Sequence, residues 1–182
     1  MAKRSLKIGL VGAGMFGGEV HLRTYAELQQ NGLLPWLGRV GFDNHARELG
    51  DVAVEFVALA TRTEASGRAK RDEYRAYGMD FALYQGETSW LDLLDAHPDL
   101  DILAVATPDN LHAAPILAAL ERGVHAISEK PLVLDAYEAD AILEAQRKSG
   151  CLVGVDMHKR YDPDHLRIRD ELSGRIGTPL YG

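Results

Sequence analysis

The strongest constraint on this chain is a glycine triplet placed directly behind a short apolar run. Residues 6–11 (LKIGLV) read as a buried strand, and Gly12-Ala13-Gly14-Met15-Phe16-Gly17 follows without a spacer. A helical pattern over residues 18–30 opens out of the same turn. Glycines at this spacing occur in ordinary turns, but between a strand and a helix they acquire a specific use. Gly12 permits the tight turn, Gly14 lets backbone approach a pyrophosphate, and Gly17 lets the helix pack close on the strand. The helix N-terminus adds unpaired N–H groups and a partial positive charge. The turn is therefore expected to hold a dinucleotide through Gly12, Gly14, Met15, Phe16 and Gly17.

The same alternation continues along the chain. Apolar runs at 54–60, 81–84, 101–106, 124–128 and 152–155 read as strands covered on both faces. Helical patterns lie between them at 63–77, 88–97, 110–122 and 135–149, with a last charged helix at 162–172. Thr88 and Asp135 stand at N-cap positions, and Gly123 and Gly150 at helix stops. Strands and helices in this order predict a doubly wound α/β fold, three layers around a mostly parallel Rossmann sheet. Residues 32–51, with Pro35 and Trp36, interrupt the pattern and are expected to form an insertion, a surface loop on the domain edge.

Composition narrows the class. The 182 residues are enough for one domain, and the 46% apolar content is that of a globular chain. A net charge of −7 without a basic run argues against a nucleic-acid partner. No apolar stretch approaches the ~20 residues of a membrane span. The single cysteine, Cys151, excludes an internal disulfide framework and fits a cytoplasmic protein.

The end of the second strand bears on cofactor choice, because an acid there bonds a ribose hydroxyl and a base accommodates a 2′-phosphate. Here Thr61-Arg62-Thr63 precede the first acid, Glu64, which favours NADP over NAD. A rival alignment takes residues 40–42 as the second strand and Asp43 as the ribose acid, but RVGF is a poor strand beside VEFVALA.

Two further motifs carry a family resemblance. Ala106-Thr107-Pro108-Asp109-Asn110-Leu111-His112 follows the fourth strand, and Glu129-Lys130-Pro131-Leu132 follows the fifth. Together with the glycine turn, the chain resembles the Gfo/Idh/MocA (glucose–fructose oxidoreductase / inositol dehydrogenase) family over nearly its whole length, apart from 32–51. The resemblance implies an NAD(P)-dependent oxidoreductase that transfers a hydride to or from a carbon of a sugar, inositol or related polyol. It implies that Lys130 lies near the nicotinamide and moves a proton at the reacting oxygen. A partly desolvated lysine at the carboxyl end of a strand suits that work. Glu129 would hold the lysine or contact the ribose, and Thr107 and Pro108 would run along the ribose and nicotinamide. Asn110 would cap the next helix, His112 would reach the cofactor, and Arg160 best matches a basic residue facing the active site. His158 and His165 with Asp162 and Asp164 fit no common ligand spacing, so no metal is expected.

The resemblance also bears on length. Family members are about twice as long and carry most substrate contacts, with an Asp-x-x-x-His pair, in a second α/β domain. The chain is therefore expected to comprise a cofactor domain over 1–155 and, over 156–182, a connecting helix and the first residues of the next domain. Leu180-Tyr181 would open a new strand. A stand-alone NAD(P)-binding module without catalysis is the alternative. Apolar surface left at the carboxyl end would favour a homo-oligomer.

Overall fold

A computed structural model describes residues 4–50 and 52–175. The expected strand at Leu180-Tyr181 lies outside the described residues. Six parallel strands form one sheet: β1 (Arg4–Val11), β2 (Val52–Thr61), β3 (Ala82–Gln85), β4 (Ile102–Val105), β5 (His125–Glu129) and β6 (Val153–Asp156). Their spatial order is β3-β2-β1-β4-β5-β6, the doubly wound arrangement in which the direction of winding reverses beside β1. Every strand lies within about two residues of its sequence-based position, the usual uncertainty at element ends.

Side chains of the central strands alternate between two cores, as the pleat requires. Leu10, Phe56, Leu59 and Ala104 face one core. Val11, Ala58, Ala60, Leu103 and Val105 face the other. The first core is closed by α1 (Leu22–Asn31) and by α4 (Glu64–Arg75) through Leu22, Tyr25, Ala26 and Tyr74. The second is closed by α5 (Ser89–Ala96), α6 (Ala113–Glu121) and α7 (Ala136–Ser149) through Leu93, Ile116, Leu120 and Ile142. Asp135 caps α7 by accepting from Tyr137 N–H at 2.7 Å, and Gly150 ends it in the left-handed region. Thr88 holds the N-cap position of α5 but its side chain makes no capping bond there.

The segment expected to be a loop is instead a run of short helical pieces. α2 (Leu34–Leu37), a 3₁₀ turn (Gly38–Val40), a second (Asp43–His45) and α3 (Ala46–Leu49) follow one another before β2. Residues 40–42 are not a strand, and Asp43 therefore does not stand at a strand end. The Arg39 guanidinium over the Trp36 ring, 4.7 Å from its centroid, and the burial of Leu37 hold this segment together. Beyond β6 the chain makes a 3₁₀ turn (His158–Tyr161) and enters α8 (Pro163–Arg175).

Candidate functional site

The carboxyl ends of β1, β2, β4 and β5 border a cleft of about 650 Å³. Its floor is the glycine turn. Gly12 has φ +101°, and a side chain there would press a carbon 2.4 Å from the Ala106 carbonyl oxygen. A carbon on Gly17 would lie 2.2 Å from the Gly12 oxygen, so only glycine lets the helical segment rest on the turn. Gly14 differs: nothing stands within 4 Å of where its side chain would begin. Met15 and Phe16 form the exposed start of the segment and also line the cleft.

At one end of the cleft stand Thr61, the last residue of β2, and Arg62, Thr63 and Ser66 beyond it. Thr61 is buried, and its hydroxyl donates to the Thr63 carbonyl at 2.9 Å, so that hydroxyl is already engaged. Arg62 is exposed and forms no ion pair among the described residues. The nearby Glu64 is paired with Arg68 instead. Glu87 is the carboxylate lining this end, with Trp90 beside it.

At the other end stand Thr107, Pro108, Glu129 and Lys130. The Thr107 hydroxyl is buried and has no hydrogen-bond partner among the described residues, an uncommon state that a ligand hydroxyl or amide would relieve. Glu129 is buried, and its Oε1 lies 3.0 Å from His21 Nε2. The Lys130 ammonium lies 5.9 Å from the centroid of the Phe16 ring.

Three expected site residues lie elsewhere. His112 is fully buried rather than facing the cleft: Nδ1 lies 2.9 Å from the Pro131 carbonyl and Nε2 2.9 Å from that of Thr107. It straps the loop after β4 to the segment after β5 from beneath. Asn110 sits exposed in the 3₁₀ turn Asp109–Leu111, and the helix after it begins without a side-chain cap. Arg160 is exposed in the turn after β6 and does not line the cleft. Conversely, His21, Tyr25 and Asp156 stand close to Glu129 with no local motif to mark them in sequence. Among the described residues, the three-membered grouping of metal-type side chains is His21, Glu129 and Asp156, with ligand atoms within 4.8 Å of one another. The His21–Glu129 contact has the length of a hydrogen bond, so these groups satisfy one another directly. The Tyr25 hydroxyl, 3.2 Å from His21 Nδ1, is pushed above its ordinary range first by burial, then by the Asp156 and Glu129 charges.

A glycine-floored cleft over the carboxyl ends of a doubly wound sheet, at the point where the winding reverses, is the geometry of a Rossmann nucleotide-binding domain. Comparison with known proteins supplies the particular lineage. The oxidoreductase family with an NAD-binding Rossmann fold, GFO_IDH_MocA, matches residues 6–157, and the chain belongs to that family. Inositol 2-dehydrogenase 4 of Saccharopolyspora erythraea is 30% identical over 99% of this chain and 45% of its own. The 1,5-anhydro-D-fructose reductase of Ensifer adhaerens is 31% identical over 79% of this chain and 42% of its own. The chain thus spans under half the length of these relatives. Levoglucosan dehydrogenase in complex with NADH and L-sorbose superposes with a TM-score of 0.71 at 24% identity, over 96% of this chain and 40% of that one. Biliverdin reductase from Synechocystis, with biliverdin and NADP+, does so with a TM-score of 0.65 at 24% identity, over 95% and 44%. No helix among the described residues is long and apolar enough to cross a membrane.

Proposed function

We propose that this chain is the cofactor-binding part of an NAD(P)-dependent oxidoreductase acting on a sugar, inositol or related polyol by hydride transfer. The observation that carries the reading is the open space at Gly14. The cleft floor is bare backbone at the start of a helical segment, where a pyrophosphate needs close approach and N–H donors. When bound, the nicotinamide would supply the hydride chemistry. The chain's own part is to seat the pyrophosphate on Gly12–Gly17, run the ribose past Thr107 and Pro108, and bring Lys130 to the reacting oxygen as proton carrier.

Arg62 favours NADP: it stands exposed at the β2 end with its neighbouring acid engaged by Arg68. The 1–155 portion serves as the cofactor domain and 156 onward as the connection towards substrate-binding structure. The family relation and names such as inositol 2-dehydrogenase support that organisation. The substrate class rests on the same relatives and on levoglucosan dehydrogenase. Leu152, Val155, Met157 and Ile168, exposed along β6 and α8, supply apolar surface for self-association. The lone buried cysteine suits a cytoplasmic location.

Titration calorimetry with NAD+, NADP+ and their reduced forms tests the central claim. Saturable binding of at least one is expected, with NADP(H) tighter. No heat with any of the four would overturn dinucleotide binding.

A further inference from the structure

The segment that leaves the glycine turn is not an α-helix. Met15–His21 is wound as π-helix, with the Leu22 N–H donating to the Gly17 carbonyl five residues back. Such windings are rare and gather at functional sites. In an α-helix, at about 100° per residue, side chains five apart diverge by about 140°. An i→i+5 ladder returns them towards one face.

Phe16 and His21 are five apart, and they meet consecutive residues at the end of β5. Phe16 offers its ring to the Lys130 ammonium, and His21 Nε2 meets the Glu129 carboxylate at 3.0 Å. Among the described residues Lys130 forms no ion pair, so the aromatic face holds the ammonium without neutralising it. His21 is held in turn. Its Nδ1 meets Tyr25 on α1 at 3.2 Å, and its Nε2 lies 4.0 Å from Asp156 Oδ2 on β6. Glu129 and Asp156 are paired in strand register, so two carboxylates converge on one imidazole. The His21 and Glu129 side chains are only 6% and 8% exposed, which makes this contact part of the core as well as the cleft wall.

We propose that the π-helical segment is a two-point clamp on Glu129-Lys130, with His21 as its positioning residue. The clamp ties the glycine turn to the lysine end of the same cleft, so seating a ligand on one fixes the direction of the other. The effect on ligand affinity rests on the dinucleotide reading; the clamp on Lys130 itself does not.

The test uses the 182-residue chain with His21→Leu, His21→Gln and Phe16→Leu. The first readout is the rate at which an amine-acylating reagent labels Lys130 without cofactor, followed by peptide mass spectrometry well below the melting midpoint. Labelling is expected to rise in His21→Leu and Phe16→Leu and to return towards wild type in His21→Gln, which keeps a donor for Glu129. The second is NADH affinity, expected to fall about tenfold in His21→Leu, the loss of roughly one hydrogen bond, and to recover in His21→Gln. Unchanged labelling in all variants overturns the clamp whatever NADH does. Altered labelling in a chain that binds none of NAD+, NADP+ and their reduced forms keeps the clamp and overturns the dinucleotide reading. If His21→Leu fails to fold, Phe16→Leu at the half-exposed position decides: a rise supports the clamp and no change overturns it. Labelling that responds to a chelator would assign the cluster to a metal ion and overturn the proposal.

Discussion

The two ends of the cleft are built on opposite principles. At the β2 end the polar groups are local: the Thr63 and Ser66 hydroxyls meet each other at 3.0 Å, Thr61 bonds two residues on, and Arg62 reaches into solvent. At the β5 end they are wired into the core: Glu129 is bonded to His21, 108 residues earlier in the chain. A group that contacts only its neighbours can change without disturbing the fold, so it is suited to choosing between similar ligands. A buried polar cluster drawn from several elements, as Glu129 on β5, His21, Tyr25 on α1 and Asp156 on β6 are, cannot, so it is suited to holding fixed geometry.

The largest break in that comparison is expected from Glu129→Ala. It leaves His21 Nε2 buried without its hydrogen-bond partner, and should cost about 2 kcal/mol of stability, read by denaturant unfolding. Gly14→Val comes next and lies midway between the ends. Its first side-chain carbon meets nothing within 4 Å, so the melting midpoint should hold while dinucleotide affinity drops beyond about 100-fold. A matching loss of stability would show that Gly14 serves the fold rather than the ligand.

Arg62→Ala should be smaller and selective. Loss of one charge-assisted contact weakens NADP by about 10- to 100-fold, leaves NAD nearly untouched and does not move the melting midpoint. Equal losses for both cofactors would remove Arg62 from the phosphate site. The smallest effect lies away from the cleft, at the exposed Lys7–Asp99 pair beside β1. The hydrogen bond from Lys7 is the main cause holding the Asp99 carboxyl below its ordinary 3.8. A depressed carboxyl stabilises the fold above that value and loses its contribution as pH falls through the lower, folded one. Asp99→Asn should therefore flatten the acid-side slope of stability slightly below about pH 4, and high salt should erase the difference.

Much of the fold was legible because its signals are local. A buried parallel strand needs a short apolar run, a helix stop needs a residue such as Gly150 that tolerates positive φ, and a strand-to-helix turn over backbone needs Gly12 and Gly17. Residues 32–51 look like a loop in sequence because Pro35 and the nearby glycines are loop punctuation, yet Pro35 sits in the first turn of α2, where it is tolerated. The place of His112 is hidden in sequence for a different reason. A histidine beside a cofactor loop reads the same in sequence whether it faces outward or supports the loop from below, and the carbonyls that claim its ring lie up to 20 residues away.

The sequence alone determined the class: alternating apolar runs and helical patterns, the turn glycines and the motifs after the fourth and fifth strands point to a doubly wound domain with its cleft at the strand ends. Only the tertiary structure decided what stands behind the cleft wall. Parallel crossovers bring the ends of β5 and β6 beside a helix begun more than 100 residues earlier, and a π-turn there redirects Phe16 and His21 onto Glu129-Lys130. No local propensity encodes that meeting, because neither partner has a use for the other until the sheet has formed.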